Sequence, residues 1–222
     1  MVATCAIGLA IGTRLPEKTD DAQFGARTRA YIMGHPEIVR DAAEKLRIAP
    51  VRTMIETPFA SAWAGNPRGD VTMVVFTDYY CPHCRVVSPE IDRLLASDRK
   101  LKVVWREMPV LGPGSYVAAA AALAAARQGK YYPFHRALFA GGRPDDKGIA
   151  VAAQAAGLAS TSLTAGSKAP DIERELQTNL AIARALSIDG TPFFVIGNRT
   201  YEGEIGYDRL VQAVADARND AQ

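Results

Sequence analysis

Apolar positions along the chain first form a nearly continuous run, Val71-Thr72-Met73-Val74-Val75-Phe76, as expected for a strand buried on both sheet faces. After Cys81 the period changes: Val86, Val87, Ile91, Leu94 and Leu95 recur on one helical face through to about Ala96. Pro89 lies inside that pattern, removes a backbone bond and predicts a kink about two turns from the helix start. Leu101 to Glu107, with Val103, Val104 and Trp105, reads as a second strand. Strand, helix and strand in this order predict a right-handed crossover and a parallel pair. Between Pro113 and Ile188 the pattern is helical, with helices over Val117 to Arg127, around Phe134 to Leu138 and near Ile149 to Ala156. A fourth helix buries Ile172, Leu176, Leu180 and Ala183, and Gly190 is placed to end it and its tail. Phe193 to Ile196 and Arg199 to Glu202 flank Gly197-Asn198, a link suited to a hairpin with a primed turn. Tyr207, Leu210, Val211 and Val214 give a last amphipathic helix over one sheet face.

The N-terminal part is different. From Asp20 to Leu46 the chain is polar, and His35-Pro36-Glu37 reads as a helix start because Pro36 and Glu37 suit the first turn. Ile38, Ala42 and Leu46, with Val39 and Ala43, form a narrow apolar stripe on a helix too short to stand alone in water. Either the main domain or the same helix of another subunit covers it, and periodicity does not separate the two. Pro50, Pro58, Gly65, Pro67 and Gly69 mark residues 49–69 as an irregular connector and a domain boundary. The expected organisation is an apolar N-terminus (1–19), a helical extension (20–48), a linker (49–69) and a main domain (70–222).

The opening stretch MVATCAIGLAIG is apolar but too short to span a bilayer, and no basic residue precedes it. It reads as part of an export signal or anchor, the alternative being a frayed apolar N-terminus on a cytoplasmic protein. Losing Cys5 with a signal leaves two cysteines, which favours one working pair over a disulfide framework. The 222 residues, 48% of them hydrophobic, can bury one substantial core plus a smaller appendage. Lys and Arg (26) nearly cancel Asp and Glu (24), and no dense basic block exists, so nucleic acid is not implied.

Two of the three cysteines stand in Cys81-Pro82-His83-Cys84, directly after the first strand. That spacing suggests a redox dithiol. At a helix N-terminus, unpaired N–H groups and the macrodipole favour negative charge, so a sulfur there is favoured as thiolate. Protonated His83 adds positive charge, and Pro82 suits the first helical position, where its missing N–H needs no partner. Half of a zinc site is the competing reading, but the remaining candidates Cys5, His35 and His135 are widely scattered. His135 reads as a packed or surface histidine outside the chemistry.

The strand entering Cys81-Pro82-His83-Cys84, the helical block, Thr191-Pro192 before a hairpin and the last helix resemble the DsbA-like thioredoxin-fold family. Local phrases extend the resemblance: Gly65-Asn66-Pro67, Phe76-Thr77-Asp78-Tyr79, the run from Arg106 to Pro113, and Gly190-Thr191-Pro192-Phe193-Phe194. It implies an α/β thioredoxin fold with a helical insertion at about 113–188, preceded by an N-terminal helical extension. By the same resemblance Cys81 is the exposed nucleophile, Cys84 the more buried resolving partner, and Pro192 a cis-proline facing them. Thr191 would lend backbone groups to hold a substrate segment by strand addition. Many members carry a glutamate six residues before the first cysteine; here that position is Val75.

The phrase Tyr31-Ile32-Met33-Gly34-His35-Pro36-Glu37-Ile38 is similar to the extension of a subgroup that includes suppressor-of-copper-sensitivity (ScsC-type) proteins. The resemblance implies disulfide formation or shuffling in cysteine-containing exported proteins, a periplasmic location, a membrane redox partner and a homo-oligomer through residues 20–48. No cofactor or metal is expected in this reading. Two competing readings are a copper- or zinc-binding or chaperone module that uses the dithiol, and an oligomeric scaffold whose work is done by residues 20–48.

Overall fold

A computed structural model describes residues 18–220. The expected signal or anchor segment and Cys5 lie outside the described residues. Packing divides the chain into two compact units, with the division between Ala42 and Ala43.

The first unit holds α1 (Lys18–Gly34) and the opening turns of α2 (Glu37–Ile48). As read from His35-Pro36-Glu37, α2 starts directly after the proline, and His35 Nδ1 lies 3.0 Å from the Glu37 carboxylate. Phe24, Tyr31 and Met33 on α1 and Ile38 and Val39 on α2 are exposed. The last turn of α2 belongs to the second unit. There Ile48 is fully buried, the Glu44 carboxylate accepts from the Thr200 N–H at 2.9 Å, and the Arg47 guanidinium donates to the Leu186 carbonyl. Leu46, expected in a covered stripe, is exposed.

The second unit continues with α3 (Arg52–Glu56), β1 (Trp63–Gly65), β2 (Val71–Thr77), α4 (Pro82–Ser97) and β3 (Leu101–Glu107). Five helices follow: α5 (Pro113–Arg127), α6 (Tyr131–Ala140), α7 (Asp146–Ala155), α8 (Ser160–Gly166) and α9 (Pro170–Ala185). The chain closes with β4 (Phe193–Ile196), β5 (Arg199–Glu202) and α10 (Tyr207–Asn219). The five strands form one sheet in the order β1-β3-β2-β4-β5, with β2 and β3 parallel and the other pairs antiparallel. This is an α/β thioredoxin fold with a helical block between β3 and β4, and α1 and α2 precede its strands.

The stretch expected as an irregular connector carries α3 and the edge strand β1. The strand is only three residues long, too short for a periodic signal, and its pairing to β3 replaces what sequence pattern lacks. Gly65 ends it at φ 89°, where a Cβ would come within 2.3 Å of the Leu101 carbonyl oxygen, so only glycine fits this approach. The last helix of the block, α9, read from sequence as the fourth because α8 went unread, also ends earlier than expected. Ser187, not Gly190, takes the left-handed position after α9 (φ 51°), and the Ile188 N–H closes back on the Ala183 carbonyl at 2.8 Å. Burial of Leu186 and Ile188 holds that turn. Gly197 opens the β4–β5 hairpin at φ 60°, and Val211 on α10 points out to solvent.

Alternation along the strands gives the sheet two covered faces. Val74 and Phe76 pack with Ile55 of α3, Ile182 and Ala183 of α9, Phe193 and Val195. Met73 and Val75, with Val103 and Trp105, pack under α4, α5, α6 and α10, and this second face carries both cysteines.

Candidate active site

The chain leaves β2 at Thr77, turns through Asp78, Tyr79 and Tyr80, and enters α4 with Cys81 as its N-cap and Pro82 in the first turn. Asp78 builds this turn. Its Oδ1 accepts from the Tyr80 N–H at 2.8 Å, and its Oδ2 accepts from the N–H groups of Val110 and Leu111 at 2.9 and 3.1 Å. The carboxylate therefore ties the cysteine turn to the segment after β3, and all its short contacts are with backbone donors.

Both cysteines are free thiols. Cys81 is the less buried, but at 5% against 1% for Cys84 it is shielded rather than exposed. The Cys81 thiol donates to the Thr191 carbonyl at 3.1 Å, and the Thr191–Pro192 peptide is cis. Cys84 is served by the Asp78 backbone and by the side chains of Thr191 and Thr77, yet burial prevails and pushes its thiol up to about 12. Pro82 and His83 are exposed, and His83 Nδ1 lies 3.1 Å from Glu204 Oε2 in the loop after β5. The six residues read from sequence as the site thus converge: Thr191 meets both sulfurs, Pro192 follows it buried, and Pro82 and His83 form the outer surface of the turn.

Beneath the dithiol lies a cluster not assigned from sequence. Thr77 and Glu107 are partners in the parallel β2–β3 register, so their side chains share the face that carries the cysteines. Glu107 is fully buried, and its Oε1 accepts from the Tyr131 hydroxyl at 2.7 Å and from the Tyr79 hydroxyl at 3.1 Å. The Tyr79 oxygen is also 2.9 Å from His135 Nδ1, so when Tyr79 donates to Glu107 it accepts from a His135 Nδ1–H. Burial raises the Glu107 carboxyl to about 8, against the opposing effect of the two tyrosine hydroxyls. Burial also lowers His135 to about 3 and keeps its imidazole neutral, and it drives Tyr79 and Tyr131 well above the usual phenol range. Tyr131 and His135 stand one turn apart on α6, whose end is clamped to α4 by Arg85 donating to the carbonyls of Phe139, Gly141 and Gly142. The charged pair Arg106-Glu107, directly after the apolar run Val103-Val104-Trp105, is the one sequence signal at this cluster.

A dithiol at a helix N-terminus, capped by the residue before a cis-proline on a mixed sheet, defines a thioredoxin-fold protein. Residues 72–215 match the family described as DSBA-like thioredoxin domain, and the chain belongs to that family. It is similar in structure to a thioredoxin-like oxidoreductase from Silicibacter pomeroyi DSS-3 (39% identity, TM-score 0.71, covering 75% of this chain and 96% of that one). It is also similar to the thiol-disulfide exchange protein alpha-DsbA2 from Wolbachia pipientis (29%, 0.74, 80% and 97%). The catalytic domain of Proteus mirabilis ScsC is another such neighbour (26%, 0.70, 79% and 98%), in keeping with the ScsC-type resemblance. The curated relatives that match are Na(+)/H(+) antiporters NhaA, such as one from Salinispora tropica, 29% identical over 166 residues. The chain spans about a quarter of the length of these relatives (24% of the Salinispora protein) while 69% of it is matched. Family and structural neighbours together support a thiol-disulfide oxidoreductase.

Proposed function

We propose that this protein forms or shuffles disulfides in exported, cysteine-containing proteins through the Cys81–Cys84 pair. The observation that carries the reading is the placement of Cys81 at the α4 N-terminus with its sulfur against the Thr191 carbonyl, while Cys84 is held deeper in the first turn. In the oxidising direction a substrate thiolate attacks the Cys81 sulfur of the Cys81–Cys84 disulfide, and the broken bond leaves its electron pair on Cys84. A second substrate thiolate then attacks the substrate sulfur of the mixed disulfide and releases Cys81 as thiolate. Two electrons pass from substrate to dithiol, and a membrane redox partner removes them. In the shuffling direction the Cys81 thiolate attacks a substrate disulfide first, and Cys84 resolves stalled intermediates.

Thr191 and the buried Pro192 form the wall on which a substrate segment lies extended, and His83 and Pro82 border the entrance. The exposed apolar side chains of α1 and early α2 favour association of residues 20–48 between copies, which would bring several dithiols to one substrate. An exported, periplasmic location fits the neighbours, one of which is a periplasmic thioredoxin-like protein from Salmonella enterica.

Comparing the natural chain with Cys81→Ser on reduced and on scrambled substrate proteins tests the reading. Exchange lost in the variant supports it, whereas copper or zinc binding without Cys81-dependent exchange selects the metal-module alternative. For oxidase against isomerase, a chain lacking residues 1–42 is the informative partner, because that cut retains Glu44, Arg47 and Ile48. Rescue of scrambled substrate only by the longer chain selects the isomerase.

A further inference from the structure

The geometry points to Glu204 as the counter-charge of His83, a positioning residue that takes up the charge of the imidazole and so makes the Cys81–Cys84 disulfide less oxidising. This inference rests on the exchange reaction proposed above and adds to it the residue that sets its driving force.

Backbone anchors bring the two side chains together. The β4–β5 hairpin pairs Phe193 with Glu202, and the next residue, Gly203, donates its N–H to the Pro192 carbonyl at 2.9 Å. Gly203 turns the chain there at φ 72°, so Glu204 follows directly beside the cis-proline segment. Ile205 and Tyr207, partly buried against the core that holds both cysteines, fix the loop from its far side. From the other direction the Cys81 sulfur rests on the Thr191 carbonyl at 3.1 Å, and His83 stands two residues on in the first turn of α4. Residues 81–83, 191–192 and 203–204 therefore meet at one place, where Glu204 Oε2 lies 3.1 Å from His83 Nδ1 across 121 positions of sequence.

This contact decides what His83 offers the sulfur. A carboxylate only accepts, so Nδ1 carries the hydrogen and gives it to Glu204. When the ring is protonated its cation stands in an ion pair of zero net charge, and Cys81 meets that pair in place of a lone cation. The neighbouring charges do not restore one. Among the described residues Glu204 is the charged side chain that His83 meets. Arg85, next but one on α4, is turned to the carbonyls of Phe139, Gly141 and Gly142. Arg93 lies over the Tyr207 ring at 3.8 Å, and Arg209 over Tyr201 at 5.3 Å. Glu202 and Asp208, exposed on either side of the loop, are themselves acidic, and Thr191 and Pro192 carry no charge.

A lone cation beside Cys81 stabilises its thiolate, and a stabilised thiolate favours the reduced dithiol and makes the disulfide a stronger oxidant. Pairing with Glu204 takes part of that stabilisation away. Exchange with glutathione expresses the difference: the protein disulfide and two glutathione thiols give the protein dithiol and one glutathione disulfide, with two electrons passing to the protein. Glu204 holds this equilibrium back toward the protein disulfide. Both ends of the pair are open to solvent (63% and 46% exposed), so the effect has the size of a surface ion pair and is screened by salt. Glu204 touches neither sulfur nor substrate in this account and acts through His83.

The test is the equilibrium constant of the full-length chain with glutathione, measured at low ionic strength and about pH 6, where imidazoles take up their proton. Glu204→Gln keeps the shape and removes the charge at an exposed position. It should raise the constant for reduction of the protein disulfide about two- to fivefold, the range an exposed ion pair supports. In about 1 M salt the difference should shrink toward nothing. In a His83→Ser background the same substitution should move the constant little, because the group through which Glu204 acts is gone. An unchanged or lowered constant in Glu204→Gln at low salt overturns the proposal, and so does an equal rise with and without His83. A natural chain whose cysteines do not equilibrate with glutathione at all overturns the exchange reading itself.

Discussion

The Cys81 sulfur donates to the Thr191 carbonyl at 3.1 Å, joining the first turn of α4 to the residue before Pro192 across 110 positions of sequence. Thr191 also reaches the other cysteine, because its side chain hydrogen-bonds Cys84. One residue thus holds Cys81 through its backbone and Cys84 through its hydroxyl. Thr191→Val leaves the first contact and deletes the second. A hydrogen bond to a charged group is worth about 1.5–3 kcal/mol, so departure of the Cys84 thiolate should slow about ten- to a hundredfold. Dithiothreitol opening of the oxidised variant measures this, and an unchanged rate would remove Thr191 from that role.

Glu107 and His135 make stability depend on pH in opposite directions. The Glu107 carboxyl is raised from 4.5 to about 8, so the folded state holds a proton that the unfolded chain has lost. Its contribution is fully present below pH 4.5 and is lost as pH rises through about 8. His135 is lowered from 6.5 to about 3, so its contribution is present above 6.5 and is lost as pH falls toward 3. Between 4.5 and 6.5 the two slopes oppose, and this pair alone predicts a plateau there. Urea midpoints should show Glu107→Gln flattening the decline between pH 6.5 and 8, and His135→Gln flattening the acid side. Each effect is on the order of a few kcal/mol.

Arg106 secures the other sheet face. Its buried guanidinium bonds Glu175 at 2.7 Å, Asn179 at 3.2 Å and the carbonyls of Met54, Ile55 and Thr57, so it fixes α3 and α9 to β3. Arg106→Met leaves Glu175 and these carbonyls without their cation and should cost about 3–5 kcal/mol in denaturant unfolding. Adding Glu175→Gln should recover part of the loss. Equal stability of the single variant and the natural chain would show that the pair is dispensable.

What could be read in advance follows from how local each signal is. The β2–α4–β3 crossover was legible because its apolar runs carry the strand and helix periods within a few residues, and the Cys81–Cys84 spacing carries its own chemistry. β1 was not, since three residues between prolines and glycines hold no period and pair only through distant β3. Likewise Glu107 looks like a solvated strand end. Its burial comes from tertiary packing, in which it meets Tyr131, 24 positions away, and Tyr79, 28 positions away. The end of α9 was placed too late because Gly190 is the usual terminator, whereas buried Leu186 and Ile188 force the turn at Ser187.

The central claim is that Cys81 makes the mixed disulfide and Cys84 resolves it. Mass spectrometry after exposure to oxidised glutathione tests it most directly. Cys84→Ser should accumulate one glutathione on Cys81, the natural chain should pass through that adduct to the internal disulfide, and Cys81→Ser should stay largely unmodified. A folded Cys84→Ser protein that forms no adduct, or an adduct that forms as readily on Cys84 in Cys81→Ser, would contradict the account.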